Sequence, residues 1–167
     1  VPADYTLLTL PARKWKMRMQ VSALWFIDQL KTLPADRRHF DTVLLSSFVD
    51  AAVFRAMLNQ VSGWNHQARI VTYFHENQFV YPLRPGQAER HQFTAINMHS
   101  ALASDSIAFN SAYNRNTFIK GCQEFQKKVS DMDLFDLAKT VDEKSRILYP
   151  GIDFKLIDTS AWREGWR

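Results

Sequence analysis

Short apolar runs and amphipathic stretches alternate along this chain. Residues 5–10 read as a short strand. Ser22 opens a helical pattern that runs to Leu30 and stops before Pro34. Residues 42–47 (TVLLSS) form a buried-strand run, and residues 51–58 form a short helix with Asp50 as its cap. A third strand, residues 70–74, ends abruptly in three polar side chains, His75, Glu76 and Asn77. Residues 89–103 predict a helix whose apolar face is Phe93, Ile96, Ala101 and Leu102. Residues 106–109 form a fourth strand. A helix then runs to Val129, capped by Asn114 or Asn116, with a buried stripe of Phe118, Ile119, Cys122, Phe125 and Val129. Residues 130–143 read as an acidic loop carrying one short helix, and residues 147–149 as a last strand closed by Pro150-Gly151.

Strands alternating with helices predict an α/β fold: Rossmann-like, with a mostly parallel sheet, right-handed crossovers and helices on both faces. Such domains ordinarily open with a buried strand and a Gly-containing turn. Here Val1-Pro2-Ala3-Asp4 leads straight into what looks like a second strand, so the first βα unit is missing from the pattern. No internal repeat or low-complexity segment interrupts the order.

Composition narrows the picture modestly. The 167 residues fit one domain or a little more, and 46% apolar with 23% charged residues is ordinary for a globular protein. Aromatic content is high at 13%, with 12 Phe, enough to fill a core and leave aromatic surface for a partner. Cys122 is the single cysteine, so no internal disulfide forms and a reducing compartment is the simpler expectation. No run approaches the roughly 18 apolar residues of a membrane helix, and no signal peptide opens the chain. The net charge of +4 is compatible with nucleic acid or a phosphorylated ligand and diagnostic of neither.

The polar end of the third strand is the first candidate site. In open α/β sheets ligands sit outside the carboxyl ends of the strands. His75 there has the chemistry of a general base or of a partner for a substrate hydroxyl, and Glu76 that of a group that orients it or binds sugar hydroxyls. A turn whose polar groups satisfy nearby backbone explains the triplet equally well. The basic run of residues 13–18 (RKWKMR) is the second candidate. If extended, it sets Lys14, Lys16 and Arg18 on one side and Arg13, Trp15 and Met17 on the other, a phosphate-binding edge beside an aromatic surface. A solvated edge with Trp15 tucked into the core is the plainer and slightly favoured alternative. Asn110 and Ser111, where the fourth strand hands over to a helix, stand where amides hold a phosphate or polar substrate group, although simple capping is favoured for Ser111. His91 and His99 are eight apart, His39 and His66 lie in loops, and Cys122 falls on the buried stripe, so no metal site is expected. No P-loop, Gly-x-Gly-x-x-Gly or Gly-x-Ser-x-Gly motif occurs.

Taken in order, several pieces together resemble a known family. They are Thr9-Leu10-Pro11-Ala12-Arg13-Lys14-Trp15-Lys16 with Arg18 and Ser22-Ala23-Leu24, then Tyr73-Phe74-His75-Glu76-Asn77-Gln78 with Tyr81-Pro82. Phe109-Asn110-Ser111 and Leu148-Tyr149-Pro150-Gly151-Ile152-Asp153 complete the set. This order resembles the N-terminal domain of the tRNA-queuosine α-mannosyltransferase family. The resemblance implies the N-terminal half of a retaining GT-B glycosyltransferase, in which two Rossmann-like domains face across a cleft. It implies GDP-mannose as donor, held mainly by a C-terminal domain, queuosine in the anticodon loop of an aspartate tRNA as acceptor, and neither a cofactor nor a metal at the transfer site.

On that resemblance residues 1–153 form the acceptor-side domain, and residues 154–167 are a linker or the start of the donor domain. The family's opening strand, its Gly-Gly-Ser-His-type loop and the donor domain are not in the sequence, so the piece alone is expected to be inactive. His75 and Glu76 become the expected catalytic pair, His75 contacting a sugar hydroxyl or donor phosphate and Glu76 orienting it. Lys14, Trp15, Lys16, Arg18, Asn77, Asn110 and Ser111 become expected substrate-binding residues. The expected location is cytoplasmic, without membrane association. Two alternatives stay open: a glycosyltransferase domain for a small or lipid-linked acceptor, and a non-catalytic RNA-binding module.

Overall fold

The computed structural model describes residues 3–12, 14–82, 91–129 and 131–155. In chain order the elements are α1 (Trp15–Thr32), β1 (Thr42–Ser46), α2 (Ala51–Met57), β2 (Arg69–Phe74), α3 (His91–Ala103), β3 (Ser106–Phe109), α4 (Ala112–Lys128), α5 (Leu137–Glu143) and β4 (Ser145–Ile147). Short 3-10 turns follow α1 at Ala35–Arg37 and α2 at Leu58–Gln60. The strands form one parallel sheet in the order β1-β2-β3-β4, in register at Leu45↔Thr72↔Ile107↔Ser145. The α/β, parallel, Rossmann-like class expected from the alternating pattern is the class observed.

One part of that expectation is corrected. Leu45, Ile70, Thr72, Phe74, Ile107 and Phe109 point to one face of the sheet and are buried there. Two apolar clusters cover that face. α1 and α2 pack over Leu45 and Ile70, while α3, α4 and α5 pack over Phe74, Ile107 and Phe109. On the other face Leu44 is 70% exposed, and Val71, Tyr73 and Ala108 are only half-buried. The described helices therefore lie on one face, not both. The reason is topological: strands added in sequence order, through crossovers of one hand, place every connecting helix on the same side.

Local chemistry explains most boundaries. Asp50 caps α2 as expected, its Oδ1 accepting from Val53 N at 3.0 Å. Residues 5–10 alternate in exposure but form no strand. Residues 6, 8 and 10 are half-buried and 5, 7 and 9 exposed, with no neighbouring strand pairing their backbone. With α1, α2 and β1, residues 4–8 line a cavity of about 540 Å³.

The basic run is not extended either. Lys14 turns through a left-handed conformation (φ 52°) and Trp15 starts α1, because Lys16 to Gln20 are good helix formers. Ser22 lies inside that helix, buried, its hydroxyl donating to Phe48 O at 3.1 Å rather than capping.

Three further corrections follow from hydrogen bonds. The cap of α4 is Ser111, whose Oγ accepts from Asn114 N at 3.1 Å, not Asn114 or Asn116. The buried face of α3 includes polar Asn97 and Ser100, which the apolar pattern passed over. Asn97 donates to Ser47 O at 3.0 Å, and Ser100 bridges Val49 O and Ala51 N. These two side chains pin the loop after β1. β4 lies two residues earlier than expected; past its end, Leu148 N still reaches Phe109 O at 2.8 Å and Leu148 O accepts from the Tyr73 hydroxyl. Residues 89 and 90, expected to open α3, lie outside the described residues, as do residues 156–167 of the tail.

At the amino ends of the strands a charged clasp closes the sheet. Lys144 Nζ donates to Leu102 O and Ser104 O, both at 2.7 Å. Asp105 accepts from Ile70 N and from Arg55. Burial alone would raise the Asp105 carboxyl, but those bonds and the nearby Arg69 outweigh it and hold it below the usual carboxylate range.

Under the sheet, Phe74, Phe109, Phe118 and Phe79 form a ring cluster with centroids 5.0–5.3 Å apart. Gly121 on α4 makes room for Phe79, since an added Cβ would overlap that ring. Gly121→Ala is therefore expected to destabilise the domain by about 1–3 kcal/mol through overpacking. Urea denaturation checks this, and an unchanged midpoint refutes it.

Candidate functional site

The carboxyl ends of β1, β2 and β3 converge on a small polar floor. β1 leaves the sheet at Ser47, whose N–H still bonds Tyr73 O at 3.0 Å, and the chain turns through Phe48. β2 leaves at His75. The His75 ring shares a hydrogen bond between Nδ1 and Ser47 Oγ at 3.3 Å, and lies 5.3 Å from the Phe48 ring, tilted by 35°. Its other edge is exposed. The imidazole is thus aimed by a hydroxyl and an aromatic ring, with one nitrogen left for a ligand.

Glu76 is half-buried beside it. Burial raises its carboxyl above the usual range, and the adjacent His75 offsets part of that rise.

Trp15 forms a third wall. Its ring meets Phe48 at 6.3 Å, Tyr81 at 5.8 Å and Phe93 at 5.6 Å. This shelf joins the start of α1 to the loop after β1, the loop after β2 and α3. Trp15 and His75 thus come together through Phe48, 60 positions apart in sequence. The expected cations take separate directions. Lys14 precedes α1, and Lys16 and Arg18, two residues apart in its first turn, point to opposite sides, so the three share no single face; Lys14 and Lys16 are exposed and Arg18 is half-buried.

Asn77, Asn110 and Ser111 are engaged within the protein. Asn77 is 3% exposed; its amide donates to Asn114 Oδ1 at 2.7 Å and its Oδ1 accepts from Phe79 N at 3.1 Å. Asn110 donates to His75 O at 2.7 Å and accepts from Asn114 at 2.9 Å and from Ser111 at 3.2 Å. Asn114 also donates to Phe74 O at 2.8 Å. In this arrangement they position the His75-Glu76 backbone and have little capacity left for a ligand. Sequence reasoning missed Ser47, Phe48, Gln78, Tyr81 and Asn97 as parts of the site. Only Gln78 and Tyr81 carried a signal, as neighbours of His75 in one continuous polar-aromatic stretch.

Among the described residues no group of three or more His, Cys, Asp and Glu could hold a metal ion, and no helix is long and apolar enough to cross a membrane. Cys122 is fully buried, and burial pushes its thiol up to about 12, which leaves it an unreactive core group.

A parallel α/β sheet with a histidine, a half-buried carboxylate and an aromatic shelf gathered at the strands' carboxyl ends defines a domain of the Rossmann-like class. Comparison makes this specific. Residues 1–152 match the model of the tRNA-queuosine alpha-mannosyltransferase N-terminal family, and the chain belongs to that family. It is 30% identical over 152 residues to a tRNA-queuosine alpha-mannosyltransferase of Drosophila melanogaster, covering 91% of this chain and 38% of that relative. The chain thus spans well under half the length of the curated relative. No solved structure matches it.

The raised carboxyl of Glu76 sets a pH signature. The folded state holds this proton more tightly than the unfolded state. Stability from protonated Glu76 is therefore present below the ordinary carboxylate range, near 4.5, and is lost as pH rises through the higher folded value. Glu76→Gln should remove that loss. The variant's Tm should exceed that of the wild type at neutral pH and converge with it toward pH 4. Equal differences at both pH values would contradict the assignment.

Proposed function

We propose that this chain forms the acceptor-side domain of a retaining GT-B mannosyltransferase that transfers mannose from GDP-mannose to queuosine in the anticodon loop of an aspartate tRNA. In this reading residues 1–153 are that domain, and residues 154–167 lead toward a donor-binding domain. The observation that carries the reading is the His75 arrangement: an imidazole aimed by Ser47 and Phe48, beside half-buried Glu76, at the sheet edge where α/β ligands bind. Family membership supports the enzyme class of this reading. His75 contacts a hydroxyl of the acceptor or a donor phosphate, and Glu76 orients it. Trp15 and Phe48 offer apolar ring surface to a base or sugar, and Lys14 and Lys16 meet the RNA backbone at the rim. Donor binding falls mainly to another domain, so the isolated 167-residue chain transfers no sugar. The enzyme works in the cytoplasm without membrane attachment, and its transfer step uses no cofactor or metal.

Transfer of labelled mannose from GDP-mannose to queuosine-containing tRNA by the full-length enzyme tests this directly. His75→Ala should lower the rate by about 100-fold or more, as expected for a lost acid–base or transition-state interaction. An unchanged rate removes His75 from the site. Binding supplies a second check. The affinity for tRNA should fall steeply with salt, and reversing Lys14 and Lys16 to Glu should flatten the log–log slope by about 0.7–0.9 for each phosphate no longer neutralised. Indifference to both would assign the acceptor to a different chemical class, a small or lipid-linked molecule.

A further inference from the structure

One buried polar atom at the site has no partner. Gln78 is 7% exposed, and its Oε1 is shielded from solvent without any hydrogen bond. Native proteins leave few such atoms, and each asks for a reason. The Gln78 backbone is well held: its N–H donates to Asn97 Oδ1 at 2.9 Å and its carbonyl accepts from Thr94 at 3.4 Å. The side chain is not. Its Nε2 donates to Glu76 Oε1 at 3.4 Å, the long limit of a hydrogen bond, so rotating the amide away costs little.

The surroundings point to what the free oxygen receives. Thr94 and Asn97 follow Phe93 on α3, the Phe93 ring meets Trp15, and the Trp15 ring meets Tyr81, three residues beyond Gln78. Gln78 Oε1 and the Glu76 carboxylate are both acceptors, and they call for a ligand that donates. Two acceptor oxygens side by side favour a ligand whose hydroxyls donate. Paired acceptors beside an aromatic shelf suit a ring that carries neighbouring hydroxyls.

We propose that Gln78 is a specificity-determining contact of this site, its Oε1 accepting from one hydroxyl of a diol-bearing ring while Glu76 accepts from the other. The proposal rests on the acceptor reading above. Queuosine, whose base carries a hydroxylated cyclopentene ring, is the ligand of this class that the reading supplies.

Equilibrium binding of the full-length enzyme to two anticodon stem-loop RNAs tests it, one carrying queuosine and the other guanosine at the same position. The wild type should prefer the queuosine RNA. Gln78→Met, of similar volume but without the amide, should lose about tenfold of that preference, the worth of one hydrogen bond. It should also melt higher than the wild type, because the orphaned acceptor is gone. A glutamine with only a structural role would instead lower the Tm and leave the preference intact, which overturns the proposal while the acceptor reading stands. A wild type with no preference between the RNAs overturns both. If Gln78→Met does not fold, NMR of the Gln78 side-chain amide in wild-type protein decides. Its resonances should shift on adding queuosine nucleoside and not on adding guanosine, and unmoved resonances overturn the proposal.

Discussion

The site depends on one buried amide. Asn114, in the first turn of α4, donates to Phe74 O at the last residue of β2 and to Asn110 just past β3, and it accepts from Asn77. The Phe74 carbonyl already accepts from Asn110 N at 3.1 Å, and Asn114 adds a second bond to it. By also holding the Asn110 side chain, Asn114 ties the ends of β2 and β3 together. His75 and Glu76 lie between two residues held by this network, Phe74 and Asn77. Their orientation is therefore set by α4, an element that contributes no group to the ligand side. The same logic holds for β1, where Asn97 and Ser100 of α3 anchor the loop that delivers Ser47 and Phe48. Helices on the covered face place the polar edge.

The sheet is lopsided for a related reason. Each strand joins its predecessor on the same edge, so the described helices gather on one side. The Phe74, Phe109 and Phe118 cluster rewards that arrangement, each buried Phe contributing about 1.5–3 kcal/mol of transfer free energy. The opposite face, with Leu44, Val71, Tyr73 and Ala108, gets no such cover from the described helices. Polar capping at the two ends of the strands then does different work. The amino ends are closed by Lys144, Asp105 and Arg55, which pair with backbone and with one another. The carboxyl ends are held by amides and hydroxyls that leave His75 and Glu76 open. That asymmetry separates an end closed by its own pairings from one that leaves polar side chains exposed.

Much of this was legible in the pattern of residues. β1, β2 and β3 stood out as apolar runs, Asp50 announced α2, and the stripe through Phe118 and Cys122 identified the buried face of α4. Misreadings have specific causes. Residues 5–10 alternate like a strand, but alternation reports which side is wet and says nothing about a backbone partner. The phosphate-edge reading of Lys14 to Arg18 required an extended run, yet the helix propensity of the same residues is stronger. Ser111 and Asn114 are both good caps, and only the hydrogen bonds show that the serine caps while the asparagine reaches across to β2. On α3 the polar Asn97 and Ser100 broke the expected apolar face because buried polar side chains are acceptable wherever a loop supplies their partners.

By itself the sequence determined the alternation of elements, the α/β class, the family and the polar end of β2, because periodicity and motif order are local properties. Tertiary structure decided which side chains share the site. Trp15 reaches His75 only through Phe48, Gln78 is buried with its Oε1 unpartnered, and Asn77 and Asn110 are spent on Asn114 and on backbone. Those outcomes depend on contacts between distant positions, where the geometry of the sheet and its single helical layer sets every distance.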